Sequence, residues 1–220
     1  MNVISPLRTG FLFLILATSV TPAEENDAGT SQNLIIRYSL NDDWYLSSIN
    51  NLATQGGVDR YAISYVDGSL GRRIGKHWSI DAGYRRAWIN IGDDTRDEHR
   101  PLLNLSRRDF IHGWFILNRS RLELRLFEDP QLNDRFRFRH HFLAVSPWEL
   151  PVLKGRWFIE EEFFYEFTSN NFNMNWLTTG FRLPVTEEID FKLGYRWQTM
   201  KFNDNWQSRH VLVTGLIIRF

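Results

Sequence analysis

The sequence predicts an all-β fold, a transmembrane up-and-down antiparallel β-barrel of about 10–12 strands. Three observations carry that expectation. Through the body of the chain, apolar and polar residues alternate almost continuously with period 2, and no long stretch keeps the 3.6-residue period of a helix. The clearest of these stretches set rows of arginine and glutamate against rows of leucine and phenylalanine. The last stretch, Arg209 to Phe220 (RHVLVTGLIIRF), puts Leu212, Leu216, Ile218 and Phe220 on one face and Arg209, Gly215 and Arg219 on the other. A closing strand with a wholly apolar stripe and a terminal aromatic suits a barrel with lipid outside it.

Composition narrows the classes. The 220 residues fit one domain, and 26 Lys plus Arg balance 26 Asp plus Glu, so no basic surface points to nucleic acid. There is no cysteine, which removes disulfides and thiolate metal sites. Nine Trp and seventeen Phe combine with a negative mean hydropathy, as expected of a barrel whose interior half is polar.

Residues 1–23 read as a cleaved signal peptide: Arg8 near a positive amino terminus, the apolar run Phe11 to Ala17, then Thr21-Pro22-Ala23 at the cleavage region. The apolar run is about half of the ~20 residues that a spanning helix needs. Residues 24–220 then form a single outer-membrane barrel domain, with 24–43 as an amino-terminal lead-in.

The alternation predicts strands near 33–40, 44–53, 59–73, 78–91, 97–106, 113–127, 134–146, 156–168, 172–183, 188–199 and 209–220. Turn residues separate them, among them Asn41-Asp42-Asp43, Gly75-Lys76, Asp129-Pro130 and Ser169-Asn170-Asn171. If both termini face the periplasm the strand count is even. The short segment 33–40 is therefore read as lead-in, leaving ten strands, with twelve as the alternative.

Charge decides which face meets lipid. Arg119, Arg121, Glu123 and Arg125 alternate with Leu122, Leu124 and Leu126; Arg135, Arg137 and Arg139 alternate with Phe136 and Phe138; Glu160, Glu162 and Glu166 alternate with Ile159, Phe163 and Phe167. An arginine on the lipid face costs roughly 2–4 kcal/mol at mid-depth, so these ten charged residues are assigned to the lumen. Trp78 and Trp88 lie ten positions apart on one face, as do Trp157 and Phe167. Ten tilted residues rise about 25 Å, the height of an apolar band between aromatic girdles. His140, Glu161 and Arg86 fit badly on the outer face. A bulge would turn the first two inward, and Arg86 is near enough to a rim to snorkel. The apolar face also changes register within 172–183, from Phe172, Met174 and Trp176 to Phe181 and Leu183.

The run Asn118 to Arg125 followed by Arg135 to Arg139 resembles the R-x-R-x-E-x-R … R-x-R-x-R core of an uncharacterised bacterial family, domain of unknown function 2490, regarded as an outer-membrane β-barrel. Glu98-His99-Arg100, Gly194-Tyr195 and the final strand are similar too. The resemblance implies location and architecture and brings no activity. Leu212, Leu216, Ile218 and Phe220 look like the signal read by the barrel-assembly machinery of Gram-negative bacteria.

No residues assemble into a recognisable enzyme, metal or cofactor motif. His77-Trp78-Ser79, the one His-x-Ser, falls at the periplasmic rim, away from the outer rim where a lipid-modifying barrel works. Adjacent His140 and His141 point to opposite faces. The expectation is a non-enzymatic barrel whose partners are outer-membrane lipids and lipopolysaccharide and, during biogenesis, the assembly machinery, with no nucleic acid. Its lumen is either closed by salt bridges or a narrow porin-like channel favouring small anions. The alternatives are a lipid-modifying enzyme, an adhesin or receptor, and a soluble periplasmic lipocalin-like barrel.

Overall fold

The computed structural model describes residues 28–56, 60–91, 94–202 and 205–220. Residues 1–23, where a signal peptide is expected, lie outside them. Eleven strands follow one another: β1 Ala28–Ser39, β2 Trp44–Gln55, β3 Arg60–Ile74, β4 Trp78–Ile91, β5 Asp94–Ile111, β6 Trp114–Phe127, β7 Arg135–Glu149, β8 Arg156–Glu166, β9 Asn171–Pro184, β10 Ile189–Phe202 and β11 Asn205–Arg219. Each pairs antiparallel with its neighbours in the chain, and β1 meets β11 to close the barrel. The all-β barrel expected from alternation is the fold.

The closure differs from the expectation. β1 is a full strand of 12 residues, and it runs parallel to β11, from Ala28 beside His210 to Arg37 beside Arg219. Among the described residues the count is therefore eleven, neither ten nor twelve. With one parallel seam, Ala28 lies at the rim opposite Phe220, so the start of β1 and the end of β11 are on different sides. Backbone bonds lock the seam at the C-terminal rim: Ser39 N donates to Phe220 O at 2.9 Å, and Phe220 N donates to Arg37 O at 2.9 Å. An even count follows only when all pairs are antiparallel, and β1 escapes that rule by pairing with β11 in the same direction.

The β5–β6 turn at the C-terminal rim is tight. His112 and Gly113 both adopt positive φ (51° and 83°), as a two-residue hairpin requires to match the twist of its strands. This turn lets β5 run on to Ile111, past the predicted end at 106.

Two features settle the residues that fitted badly. No register shift occurs beside His140 or Glu161, so both face outward. The bulge lies instead where β8 meets β9, between Phe164 and Tyr165. It turns Phe172 outward and Met174 and Trp176 inward, which accounts for the change of register within β9. Arg86 Nη2 donates to Asp97 Oδ2 at 2.5 Å.

The outside is apolar: Leu46, Leu70, Leu103, Leu105, Phe136 and Leu212 are all exposed. The inside is mainly polar, with one small apolar cluster of Leu143, Val145 and Phe158 packed on Phe115 and Leu117. Nearby, Tyr45 fills interior space that a side chain at Gly71 would occupy.

Candidate functional site

The candidate site is the barrel interior. β6 supplies its centre because the R-x-R-x-E-x-R pattern puts Arg119, Arg121, Glu123 and Arg125 on one face and the leucines on the other. β7 lies antiparallel beside it, with Glu123 opposite Arg137 and Arg121 opposite Arg139.

Glu123 is 0% exposed and takes three arginines. Arg137 donates to its Oε2 from Nε at 2.9 Å and Nη2 at 2.5 Å, Arg139 Nη1 donates to Oε1 at 2.7 Å, and Arg121 Nη1 reaches Oε1 at 3.4 Å. One carboxylate neutralises one of three guanidiniums, so two of the arginines need a further carboxylate. Arg139 Nη2 donates to Glu162 Oε1 at 2.8 Å, and Arg121 reaches Asp67 Oδ2 at 3.4 Å. Arg137 and Arg139 also lie over the Phe164 ring at 5.2 and 4.7 Å.

Further charged groups stand on both sides of Glu123 around the wall. Glu98 is held by two paired contacts, from Arg100 (2.6 and 2.7 Å) and from Arg125 (2.6 and 2.9 Å). Asp67 takes Arg85 at 2.8 Å, while Asp81 takes Asn104 at 2.5 Å and the Tyr45 hydroxyl at 3.1 Å. Glu160 takes Lys192 at 2.6 Å and has His141 at 3.5 Å. Bidentate pairing of guanidinium with carboxylate is the geometry that best offsets the desolvation of buried charge.

The sequence-assigned residues are not equivalent. Arg121, Glu123, Arg137, Arg139, Glu160 and Glu162 form the buried middle. Arg119 sits at the edge, 3.9 Å from Glu162. Glu166 lies 3.6 Å from Arg125 but accepts no hydrogen bond. Arg135 stands over the Phe127 ring at 5.8 Å and, among the described residues, takes no carboxylate. Asp67, Arg85, Glu98, Arg100 and Lys192 are further buried charges of the interior, beyond those the sequence predicts. For Glu98 and Arg100 the signal was present, since they alternate with His99 and Pro101 as the central block does.

Leu212, Leu216, Ile218 and Phe220 share the outer face of the C-terminal segment, with Leu212 and Phe220 well exposed and Phe220 6.4 Å from Tyr38. His77 and Ser79 do not meet: His77 Nδ1 lies 3.0 Å from Arg108 O and 3.1 Å from Asp109, while Ser79 is buried without a partner for its hydroxyl. Among the described residues no His, Asp and Glu side chains group as a metal site. Two shallow, open hollows lie along the wall, one around Ser48, Gly68 and Ala82 and the other around Gln32, Asn50 and Thr214.

Comparison with known proteins found no similar curated protein and no similar solved structure. One family model matches residues 29–209, which takes in all of β2–β10 and most of β1. The chain belongs to the family described as "Protein of unknown function (DUF2490)".

Proposed function

We propose that the protein is an outer-membrane β-barrel whose interior is closed by salt bridges, acting as a structural or interaction element of the membrane rather than as an open porin. The observation that carries the reading is the inversion of the fold: a fully buried Glu123 among arginines inside, and exposed leucines and phenylalanines outside. In water such an outer surface would form an apolar patch far beyond what a soluble monomer exposes.

Aromatic residues support the same reading. Trp44, Trp78, Trp114, Trp148 and Trp157 gather at the C-terminal rim, where Trp114 packs 5.1 Å from Trp148 and 6.0 Å from Trp157. At the other rim Phe136 stacks on Phe167 at 5.0 Å, and Tyr165 packs on Phe172 at 5.0 Å. Two such belts flank the apolar band of an outer-membrane barrel. With the C-terminal rim toward the periplasm, the apolar stripe ending at Phe220 is placed to be read by the assembly machinery, and lipids and lipopolysaccharide surround the wall.

Against a narrow anion channel, Arg121, Arg137 and Arg139, at the buried middle of the interior, are each tied to a carboxylate. The adhesin reading lacks a loop to carry it among the described residues, where the connections opposite the C-terminal rim include 128–134 and 167–170.

Heating tests the reading. Refolded protein is expected to run at different positions before and after boiling on a detergent gel, and to need detergent or lipid to stay folded. A protein that stays folded and dissolved without either contradicts it.

A further inference from the structure

We infer that two copies of this chain pair through the outer wall of β6–β9, with Glu161 of each copy accepting a hydrogen bond from His140 of the other. The inference rests on the reading that this wall meets lipid, and goes beyond it.

Glu161 is the starting point. It faces outward on β8, four residues beyond Trp157 and six before Phe167, so it stands at mid-height between the two aromatic belts. Its Oε1 accepts one hydrogen bond, from Asn175 Nδ2 at 3.1 Å, and no cation pairs with it among the described residues. Other charged groups of the outer face satisfy one another near the rims: Arg86 with Asp97 at 2.5 Å, Arg107 with Asp109 at 2.8 Å, His99 with Glu128 at 2.7 Å. A carboxylate in hydrocarbon without such a partner is costly, and an ionisable residue there marks a contact with something other than lipid.

The surroundings of Glu161 say what that contact is. Ser120, His140, Phe163 and Asn175 are successive partners across β6, β7, β8 and β9, forming one rung of the wall beside Glu161. His140 is fixed in place, its ring 5.4 Å from Phe163 and its Nδ1 3.0 Å from Ser120 Oγ. That leaves Nε2 without a partner among the described residues. The patch thus carries an unmet acceptor and an unmet ring nitrogen side by side, set among Phe138, Phe142 and Leu177. Such a surface complements itself. A two-fold axis along the membrane normal brings residue i against j and j against i while keeping each at its own depth. A second copy satisfies both groups at once, whereas a lipid acyl chain satisfies neither.

The absence of cysteine makes the test direct, since a single introduced cysteine can form a disulfide only with another molecule. Phe142→Cys or Leu177→Cys, flanking Glu161, is expected to give a linked dimer in oxidised membranes, and Leu70→Cys on the opposite wall is not. Adding Glu161→Leu should reduce the linked fraction several-fold. That variant should remain heat-modifiable and unfold at no lower denaturant than the parent, because it only removes a charge from the lipid face. Equal cross-linking at Leu70→Cys, cross-links to a different protein, or dimers indifferent to Glu161→Leu would overturn the pairing while leaving the membrane barrel intact. A chain that stays folded without detergent removes the membrane reading and the pairing with it.

Discussion

Glu123 and Arg137 occupy directly opposed positions of β6 and β7, and their side chains meet at 2.5 Å in an interior that leaves Glu123 no exposed surface. Around that pair charge is shared from β3 to β8: Arg139 joins Glu123 to Glu162, Arg121 joins it to Asp67, and Arg137 has Glu123 as its one carboxylate among the described residues. Buried pairs of this kind resist partial dismantling more than they stabilise, because a lone buried charge is the costly state.

The first consequence concerns Glu123 itself. Glu123→Gln keeps the shape but leaves Arg121, Arg137 and Arg139 undercompensated, and is expected to cost about 3–5 kcal/mol. Urea unfolding in lipid vesicles, followed by tryptophan fluorescence, measures it. Glu123→Met combined with Arg137→Met should cost less than Glu123→Gln alone, since it removes charge from both sides.

The parallel seam makes a geometric prediction. Asn33 and Gly215 are register partners, and a Cβ added at Gly215 would lie 3.7 Å from Asn33 Cβ. That separation falls within the range of disulfides. Asn33→Cys with Gly215→Cys is therefore expected to cross-link within one chain on oxidation, giving a monomer of altered mobility before boiling with reductant. No intramolecular bond would mean that β1 does not close the barrel in this register.

The outer face is tested at Leu212, which points outward at the middle of β11. Leu212→Arg is expected to lower stability in bilayers by roughly 2–4 kcal/mol, the depth-dependent cost of a lipid-facing arginine. In a soluble barrel the same change at an exposed position would shift stability by only a few tenths of a kcal/mol.

How much of this was legible in the sequence follows from what alternation encodes. Period 2 states which residues share a face, so the arginine and glutamate rows of β6–β8 and the outward stripe of Leu212, Leu216, Ile218 and Phe220 could be read directly. The ends of β4, residues 78 and 91, could be read as well. Alternation does not state which strand lies alongside which, or in what direction, and that is why β1 was read as lead-in when its partner is β11. The His112-Gly113 hairpin lacks the Asn-Gly or Asp-Gly signature and was missed. Asp67 and Arg85 escaped notice because glycine, serine and tyrosine flank them on their own face, so no ladder of charge marked the positions. The β8–β9 bulge showed only as a change of register, which gave its existence without its place.

The most direct test of the closed interior is planar-bilayer recording on protein whose folding has first been verified by its heat-dependent gel mobility. The account predicts no unitary conductance from the folded barrel, because Glu123 and its arginines fill the space that an ion would cross. Reproducible unitary steps, altered in anion preference by Arg137→Glu, would contradict it.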